Sequence, residues 1–162
     1  MLAGLALGLA AVELPTTRSV PAQTIVVRGP PDVRSVLDGD TFKAGGTSIR
    51  LHGIDAPELK QTCDGWAAGA AARHALVALV SAGTPQCEFV AKDVYGRTVA
   101  ICRVNGKDVS EAMVRSGMAY AAYSYDYLLQ EWRARFDGLG IHARRCADPA
   151  DWRAGHRKQV QR

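Results

Sequence analysis

Two short acidic segments separated by a single turn constrain the fold of this chain more than any other feature. The first reads Asp38-Gly39-Asp40-Thr41, and the second runs from Arg50 through Asp55 to Glu58. Between them, Ala44-Gly45-Gly46-Thr47 has the composition of a tight hairpin turn, which predicts that the two segments fold back toward each other. Four carboxylates and one arginine then share a small volume, which is more charge than a turn requires.

Clustered carboxylates of this kind suit a hard divalent cation. Calcium binds about six to eight oxygen atoms at roughly 2.3–2.6 Å, supplied by carboxylates, backbone carbonyls and water. Asp40 and Asp55 are candidate ligands, because two aspartates on separate loops leave room for a phosphate of the substrate. Each segment alone has a structural alternative: Asp-Gly is a common hairpin signal, and Asp-Ala-Pro-Glu can open a solvated loop after a strand.

A third segment, Asp93-Val94-Tyr95-Gly96-Arg97, favours the functional interpretation. Together with Asp-Gly-Asp-Thr and Arg-Leu-x-Gly-Ile-Asp-Ala-Pro-Glu, in this order and with this spacing, it resembles the staphylococcal nuclease (thermonuclease) family. The resemblance covers about Val33 to Tyr125. It implies a calcium-dependent endonuclease that cleaves DNA, RNA or both with little sequence preference and leaves 3′-phosphate ends.

The resemblance also implies a role for each matching residue. The family's calcium ion is held by aspartates that match Asp40 and Asp55 and by the carbonyl that matches Thr41, while Asp38 reaches the metal through water. The arginines that grip the scissile phosphate match Arg50 and Arg97, and the glutamate that activates water matches Glu58. Aromatic side chains that contact the bound nucleotide match three tyrosines: Tyr95, Tyr123 and Tyr125. Because every base presents a π-face, stacking on such rings tolerates any sequence.

The chemistry of the residues agrees with these roles independently. Phosphodiester cleavage builds negative charge on the phosphoryl oxygens, and a guanidinium that donates two parallel hydrogen bonds stabilises this charge better than lysine does. Glu58, three residues beyond Asp55, is placed to orient and deprotonate a water. One alternative function is an OB-fold module that binds nucleic acid or protein without cleaving it; loss of Glu58 or of either arginine would favour it, and all three are present. The other is a secreted structural or interaction protein, in which the four carboxylates would be accidental.

The N-terminal segment predicts export. Leu2 to Val12 is an almost wholly apolar run, too short for a membrane span of about 20 residues but typical of the centre of a signal peptide. Val20-Pro21-Ala22 offers a small-residue cleavage site before Gln23. A buried N-terminal helix is the structural alternative. We therefore expect a periplasmic, wall-associated or secreted protein without a membrane span in its mature form, and a monomer.

Cysteine usage supports an oxidising compartment. The chain has four cysteines and no Cys-x-x-Cys spacing, which favours disulfides over a zinc site. A turn centred between Val94 and Tyr95 would place Cys87 opposite Cys102 on paired strands. Cys63 and Cys146 then pair by elimination. The alternative for Cys87 and Cys102 is a pair of reduced core residues, because buried free cysteine is common.

The excess positive charge lies in the C-terminal tail. The net charge is +4. From residue 143 onward six basic residues face two acidic ones: Arg144, Arg145, Arg153, Arg157, Lys158 and Arg162 against Asp148 and Asp151. A basic tail can bind polyanions through counterion release, but the simpler interpretation is a solvated charge run. No apolar periodicity predicts a helix here, so disorder is expected from Arg145 onward.

Hydrophobic periodicity predicts a mixed α+β fold. The predicted strands are Val33–Leu37, Thr41–Lys43, Ser48–Gly53, Gln86–Ala91 and Thr98–Val104, and the predicted helices cover Ala67–Val80, Asp108 to Gly117, and a segment with Leu128, Leu129, Trp132 and Phe136 on one stripe. Five strands with a helix between the third and fourth form the pattern of a five-stranded OB-fold barrel. We expect a signal peptide over residues 1–22, this nuclease domain over 23–142 and a basic tail over 143–162.

Overall fold

The structure is a computed structural model that describes residues 24–25 and 35–160. The predicted signal peptide and residues 33 and 34 of the first predicted strand lie outside the described residues. Within the described ranges, no helix is long and apolar enough to cross a membrane.

A six-stranded sheet forms the centre of the molecule. Its strands are β1 (Thr24–Ile25), β2 (Thr41–Ala44), β3 (Thr47–Leu51), β5 (Gln86–Lys92), β6 (Thr98–Val104) and β7 (Lys107–Asp108). The order is β1-β5-β6-β3-β2, with β7 paired to β6. Strands β3 and β6 run parallel and join two antiparallel hairpins. A separate pair contains β4 (Ile54–Asp55) and β8 (Tyr120–Ala121). The expected OB-fold-like α+β architecture is confirmed.

The hairpin between the two acidic segments forms as predicted. Gly45 and Gly46 lie in the turn with φ of 56° and 80°, and Ala44 pairs with Thr47. Positive φ at both central residues is the signature of a type I′ turn, whose twist matches that of the flanking strands. Among residues 35–37 of the first predicted strand, Val36 forms an isolated bridge with Phe42 in place of a continuous strand.

The β5–β6 hairpin places Cys87 opposite Cys102, as the sequence predicted, but the turn position and the strand register differ from the prediction. Near the turn Lys92 pairs with Thr98, so the loop is centred on Tyr95 rather than between Val94 and Tyr95. A register shift between Phe89 and Ala91 inserts one extra residue into β5. This bulge restores the register at the cysteines, because an extra residue in one strand moves all the pairs beyond it by one.

Both predicted disulfides are present, Cys87–Cys102 and Cys63–Cys146. Replacing Cys87 and Cys102 together by serine is expected to lower the free energy of unfolding by about 2–4 kcal/mol, the usual loop-entropy value for a closed loop of this length. Chemical denaturation of wild type and variant measures the difference. An unchanged midpoint, or free thiols at both positions in a peptide map of the oxidised wild type, would contradict the expectation.

In the part of the chain that the structure describes, four α-helices surround the sheet and a short 3-10 helix spans Gly140–Ala143. Helix α1 (Ala68–Ser81) buries Ala72, Leu76 and Val80 against the sheet, and α2 (Val109–Arg115) begins where the Asp108 carboxylate accepts the Glu111 N–H, as its capping sequence predicted. Together with Phe42, Ile49, Leu51 and Met113, these helices complete the main core.

Helix α3 (Leu128–Phe136) carries the predicted apolar stripe, but the stripe faces away from the core. Leu129, Trp132 and Phe136 are all exposed, and Trp132 stacks on Phe136. The helix packs instead through Ala134 and the buried Glu131, whose carboxylate accepts the Ala121 N–H and pairs with Arg135.

The expectation of a disordered, purely solvated tail is wrong. Helix α4 covers Pro149–Val160, and the Asp148 side chain accepts the Ala150 N–H at its start. Because proline without its N–H is favoured at the first helical position, Asp148-Pro149 is a helix-start signal that was available in the sequence. The tail sequence has no apolar stripe that would have predicted the rest of the helix.

Candidate active site

The side chains predicted for catalysis and metal binding meet in one open cavity of about 660 Å³, whereas Thr41, predicted to supply a carbonyl ligand, is not part of its lining. It lies where β3, β4, the β5–β6 turn and α4 converge. Its charged lining includes all the predicted carboxylates and arginines: Asp38, Asp40, Asp55, Glu58, Arg50 and Arg97. Three further charged residues line it that the sequence did not place there: Lys92, Asp93 and Arg153.

The two acidic segments are tied together by the backbone as well as by charge. The Leu51 N–H donates to the Asp40 carbonyl at 2.8 Å, and the Ala56 N–H donates to Asp40 Oδ2 at 2.9 Å. Asp40 and Asp55 are both buried. The fold-back predicted from the hairpin therefore brings the two candidate ligands to the same side of the sheet.

Arg50 bridges these two aspartates. One terminal nitrogen of its guanidinium forms an ion pair with Asp40, and Nη2 lies 3.1 Å from Asp55 Oδ1 and 3.1 Å from the Ile54 carbonyl oxygen. Burial of the guanidinium opposes its charge, but Asp40 and Asp55 outweigh that effect and raise the pKa of Arg50 above its ordinary value. Arg50 is therefore permanently charged and held rigidly at the floor of the cavity.

Asp55 carries the densest set of contacts in the site. Its Oδ1 accepts from Arg50 and from Arg153 Nη1 at 3.2 Å, and its Oδ2 accepts from Arg153 Nη2 at 2.8 Å and from the Tyr123 hydroxyl at 3.3 Å. An ionised carboxylate offers about four lone-pair positions, so these four donors use its acceptor capacity. Arg153 Nη1 also donates to Glu58 Oε1 at 2.8 Å.

The carboxylates of the cavity offer the hard oxygen donors that a divalent cation requires. Since Asp40 and Asp55 share one guanidinium, their oxygens point into the same small region, and both are hard donors. The Thr41 carbonyl accepts the Leu37 N–H at 2.9 Å and retains a second lone pair. Among the described residues, no three His, Cys, Asp or Glu side chains are grouped around one metal position. The two carboxylates fit a cation that keeps several waters, and the Thr41 carbonyl as a third protein ligand stays a prediction.

Asp38 lies beside Asp40 without touching Arg50. Its Oδ1 accepts the Asp40 N–H at 3.0 Å. Burial, reinforced by the negative charge of Asp40, raises the pKa of Asp38 to about 7. The role of Asp38 as a carboxylate that reaches the metal through water stays a prediction.

Arg97 is presented by the β5–β6 turn. Asp93 accepts from the Tyr95 N–H, the Arg97 N–H and Arg97 Nε, the last at 2.6 Å, so one carboxylate shapes the turn and aims the guanidinium. Burial opposes ionisation of Asp93, but the bonds from Arg97 prevail and lower the pKa of Asp93. Arg97 Nη1 lies 3.3 Å from the Thr41 hydroxyl, which in turn donates to Asp40.

The three candidate nucleotide-binding tyrosines are exposed. Tyr95 and Tyr123 line the cavity, with the Arg97 guanidinium 5.5 Å from the Tyr95 ring centre and the Arg50 guanidinium 6.0 Å from that of Tyr123. Tyr125 is 89% exposed and is not part of the cavity lining. Tyr127, by contrast, is buried in the core and donates to Asp108.

Arg153 is the residue that the sequence analysis missed. It was counted only as part of a solvated charge run, yet its guanidinium reaches two predicted site residues 98 and 95 positions away in the chain. Nothing in its local sequence indicates this contact, which depends on where the tail folds.

Comparison with known proteins agrees with the geometry. The family model described as "Staphylococcal nuclease homologue" matches residues 48–145. The succinoglycan biosynthesis protein ExoI of Rhizobium meliloti is 41% identical over 66% of this chain and 61% of its own length. An uncharacterized endonuclease of Haemophilus influenzae is 34% identical over 75% of this chain and 71% of its own length. Endonuclease YncB of Bacillus subtilis is 32% identical over 65% of this chain and 57% of its own length.

The OB-fold-like α+β architecture, with its cluster of carboxylates and arginines, agrees with the class of protein that the family model describes. The chain belongs to the staphylococcal nuclease family. Nucleases of this family are generally metal-dependent. The chain spans between about three-fifths and seven-tenths of the lengths of these three relatives.

Proposed function

We propose that this chain is a calcium-dependent endonuclease that hydrolyses DNA, RNA or both with little sequence preference and leaves 3′-phosphate ends. The observation that carries the proposal is the convergence of Asp40, Asp55, Glu58, Arg50 and Arg97 on one cavity. Several of the relatives are named endonucleases, which supports the same reaction.

Arg50 and Arg97 bind the scissile phosphodiester and stabilise the charge that develops on it. Arg50 is fixed by two buried aspartates and Arg97 by Asp93, so neither guanidinium has to reorganise during the reaction. The planar fork of each can donate to two phosphoryl oxygens at once.

Glu58 orients a water for in-line attack on phosphorus and accepts its proton. The glutamate lies on the loop after β4, whose backbone is fixed because Gln61 Oε1 accepts the Glu58 N–H at 3.2 Å. The leaving oxygen is protonated by water, since arginine with a pKa above about 12 is a poor acid.

Asp40, Asp55 and the Thr41 carbonyl would hold the cation. When bound, calcium supplies Lewis-acid polarisation of the phosphoryl oxygens. Tyr95 and Tyr123, at the cavity wall, and Tyr125 offer rings on which bases stack without sequence discrimination.

We further propose that the protein is exported and acts as a monomer. The two disulfides support export, because disulfides persist in oxidising compartments and are rare in the cytosol.

Digestion of single-stranded DNA and of RNA by the oxidised chain tests the proposed activity. We expect cleavage in millimolar Ca²⁺, none in excess chelator, and recovery when Ca²⁺ is restored. End-labelling of the products reports which side of the break carries the phosphate. If the chain binds nucleic acid but does not cut it at any Ca²⁺ concentration, it is the binding module considered from the sequence.

A further inference from the structure

We propose that Arg153 is a tethered guanidinium that occupies the metal ligand Asp55 and competes with the divalent cation for it. This inference rests on the proposed function, because it assigns a regulator of cation binding at the same site.

The Asp55 carboxylate already accepts from four donors. Two of the four donors on this carboxylate come from Arg153, one on each oxygen. A cation can coordinate Asp55 only where a lone pair is free, so at least one donor has to leave. Arg50 is buried and also bound to Asp40, whereas the side chain of Arg153 is 33% exposed, which makes Arg153 the donor that is easier to displace.

The positive charge of Arg153 opposes the binding of a divalent cation to Asp55. A guanidinium and a divalent cation on the same carboxylate repel each other, and this repulsion is strong because Asp55 is buried. A guanidinium stays charged at every working pH. Arg153 therefore cannot vacate the carboxylate by losing a proton and has to move.

Two links hold the N-terminal end of α4 close to the cavity. The disulfide Cys63–Cys146 joins the loop after Glu58 to the residues that precede α4. The fully buried Gln61 donates from Nε2 to the Ala147 carbonyl at 2.7 Å. These two links hold the start of α4 near the site, which gives the guanidinium a high local concentration at Asp55. Arg153 lies seven residues beyond Cys146, close enough for the links to govern its position.

Calcium titration by calorimetry tests the proposal on the full oxidised chain. Arg153→Ala is expected to bind Ca²⁺ about tenfold more tightly than wild type, and its cleavage is expected to reach half-maximum at a correspondingly lower Ca²⁺ concentration. Arg145→Ala is the matched control, because it removes the same charge from the same tail at an exposed ion pair with Asp64. Its Ca²⁺ affinity is expected to equal that of wild type.

A second pair of substitutions tests the tether. Cys63→Ser together with Cys146→Ser should also tighten Ca²⁺ binding, by less than Arg153→Ala, since Gln61 still holds the tail. Arg153→Gln, which keeps a polar side chain but is shorter and uncharged, replaces Arg153→Ala if the alanine variant does not fold.

Ca²⁺ binding and cleavage, measured on wild type and on the variants, distinguish failure of the competition from failure of the nuclease function. Unchanged or weaker Ca²⁺ binding by Arg153→Ala, with wild type still binding and cleaving, would overturn the competition and leave the nuclease intact. Equal tightening by Arg145→Ala would overturn it as well, because general electrostatics would then explain the effect. If wild type and every variant fail to bind Ca²⁺, the calcium-dependent function itself fails, and the inference falls with it.

Discussion

Asp40→Asn is expected to abolish Ca²⁺-dependent cleavage, reducing the rate to that measured in chelator. The carboxylate is one of two that converge on the proposed cation position, and an amide contributes a neutral and weaker ligand at this site. Calorimetry is expected to show no measurable Ca²⁺ binding by the variant. Wild-type cleavage with unchanged calcium dependence would show that the cation site lies elsewhere.

Asparagine is a cleaner probe at this position than alanine. Asp40 accepts the Ala56 N–H and the Thr41 hydroxyl, so alanine would leave buried donors without a partner, at a cost of about 1–3 kcal/mol each. Asparagine keeps one acceptor oxygen and the shape of the side chain. Glu88→Gln is the matched control, because it makes the same chemical change in a half-exposed ion pair with Arg103 and lies outside the cavity lining. It is expected to leave cleavage and Ca²⁺ affinity unchanged.

Arg97→Lys is expected to lower the turnover number by about 100-fold or more while weakening nucleic-acid affinity far less. Arg97 uses Nε to hold Asp93, which leaves its terminal nitrogens to reach Thr41 and the cavity. Lysine has a single side-chain nitrogen, so it cannot bind Asp93 and a phosphoryl oxygen with the paired, planar geometry of a guanidinium. Loss of one donor to the transition state typically costs about 10²–10³ in turnover number.

Steady-state kinetics together with a binding titration in chelator separates the two effects. Arg103→Lys is the control, since Arg103 lies on the adjoining strand β6 and pairs with the half-exposed Glu88. If affinity and turnover fall together by the same small factor, Arg97 is an anchor for the phosphate and does not act on the transition state.

Local sequence was sufficient for most of the elements and for much of the site. The Gly45-Gly46 turn, the Asp108 cap and the acidic segments depend on contacts between residues close in the chain, which local patterns report directly. Once the hairpin forms, Asp40 and Asp55 have to approach each other. The prediction of individual roles within the cavity stays a prediction until the variants are made.

The Cys87–Cys102 pair shows how a correct prediction can rest on an incomplete reason. The turn is centred half a residue later than the symmetry argument assumed, and the bulge between Phe89 and Ala91 compensates for the difference. A bulge forms where packing across the whole sheet favours an extra residue, so no short window of sequence reveals it.

The sequence by itself determined the acidic loops, the turn that joins them and the arginines beside them, because these follow from short-range conformational preferences and from the chemistry of each side chain. Only the tertiary structure decided that the stripe on α3 is exposed and that Arg153 reaches Asp55 and Glu58. Those facts depend on how distant segments dock. Arg153 reaches its partners because the disulfide Cys63–Cys146 and the buried Gln61 hold the tail in place. The pattern of apolar residues in the tail does not predict that contact.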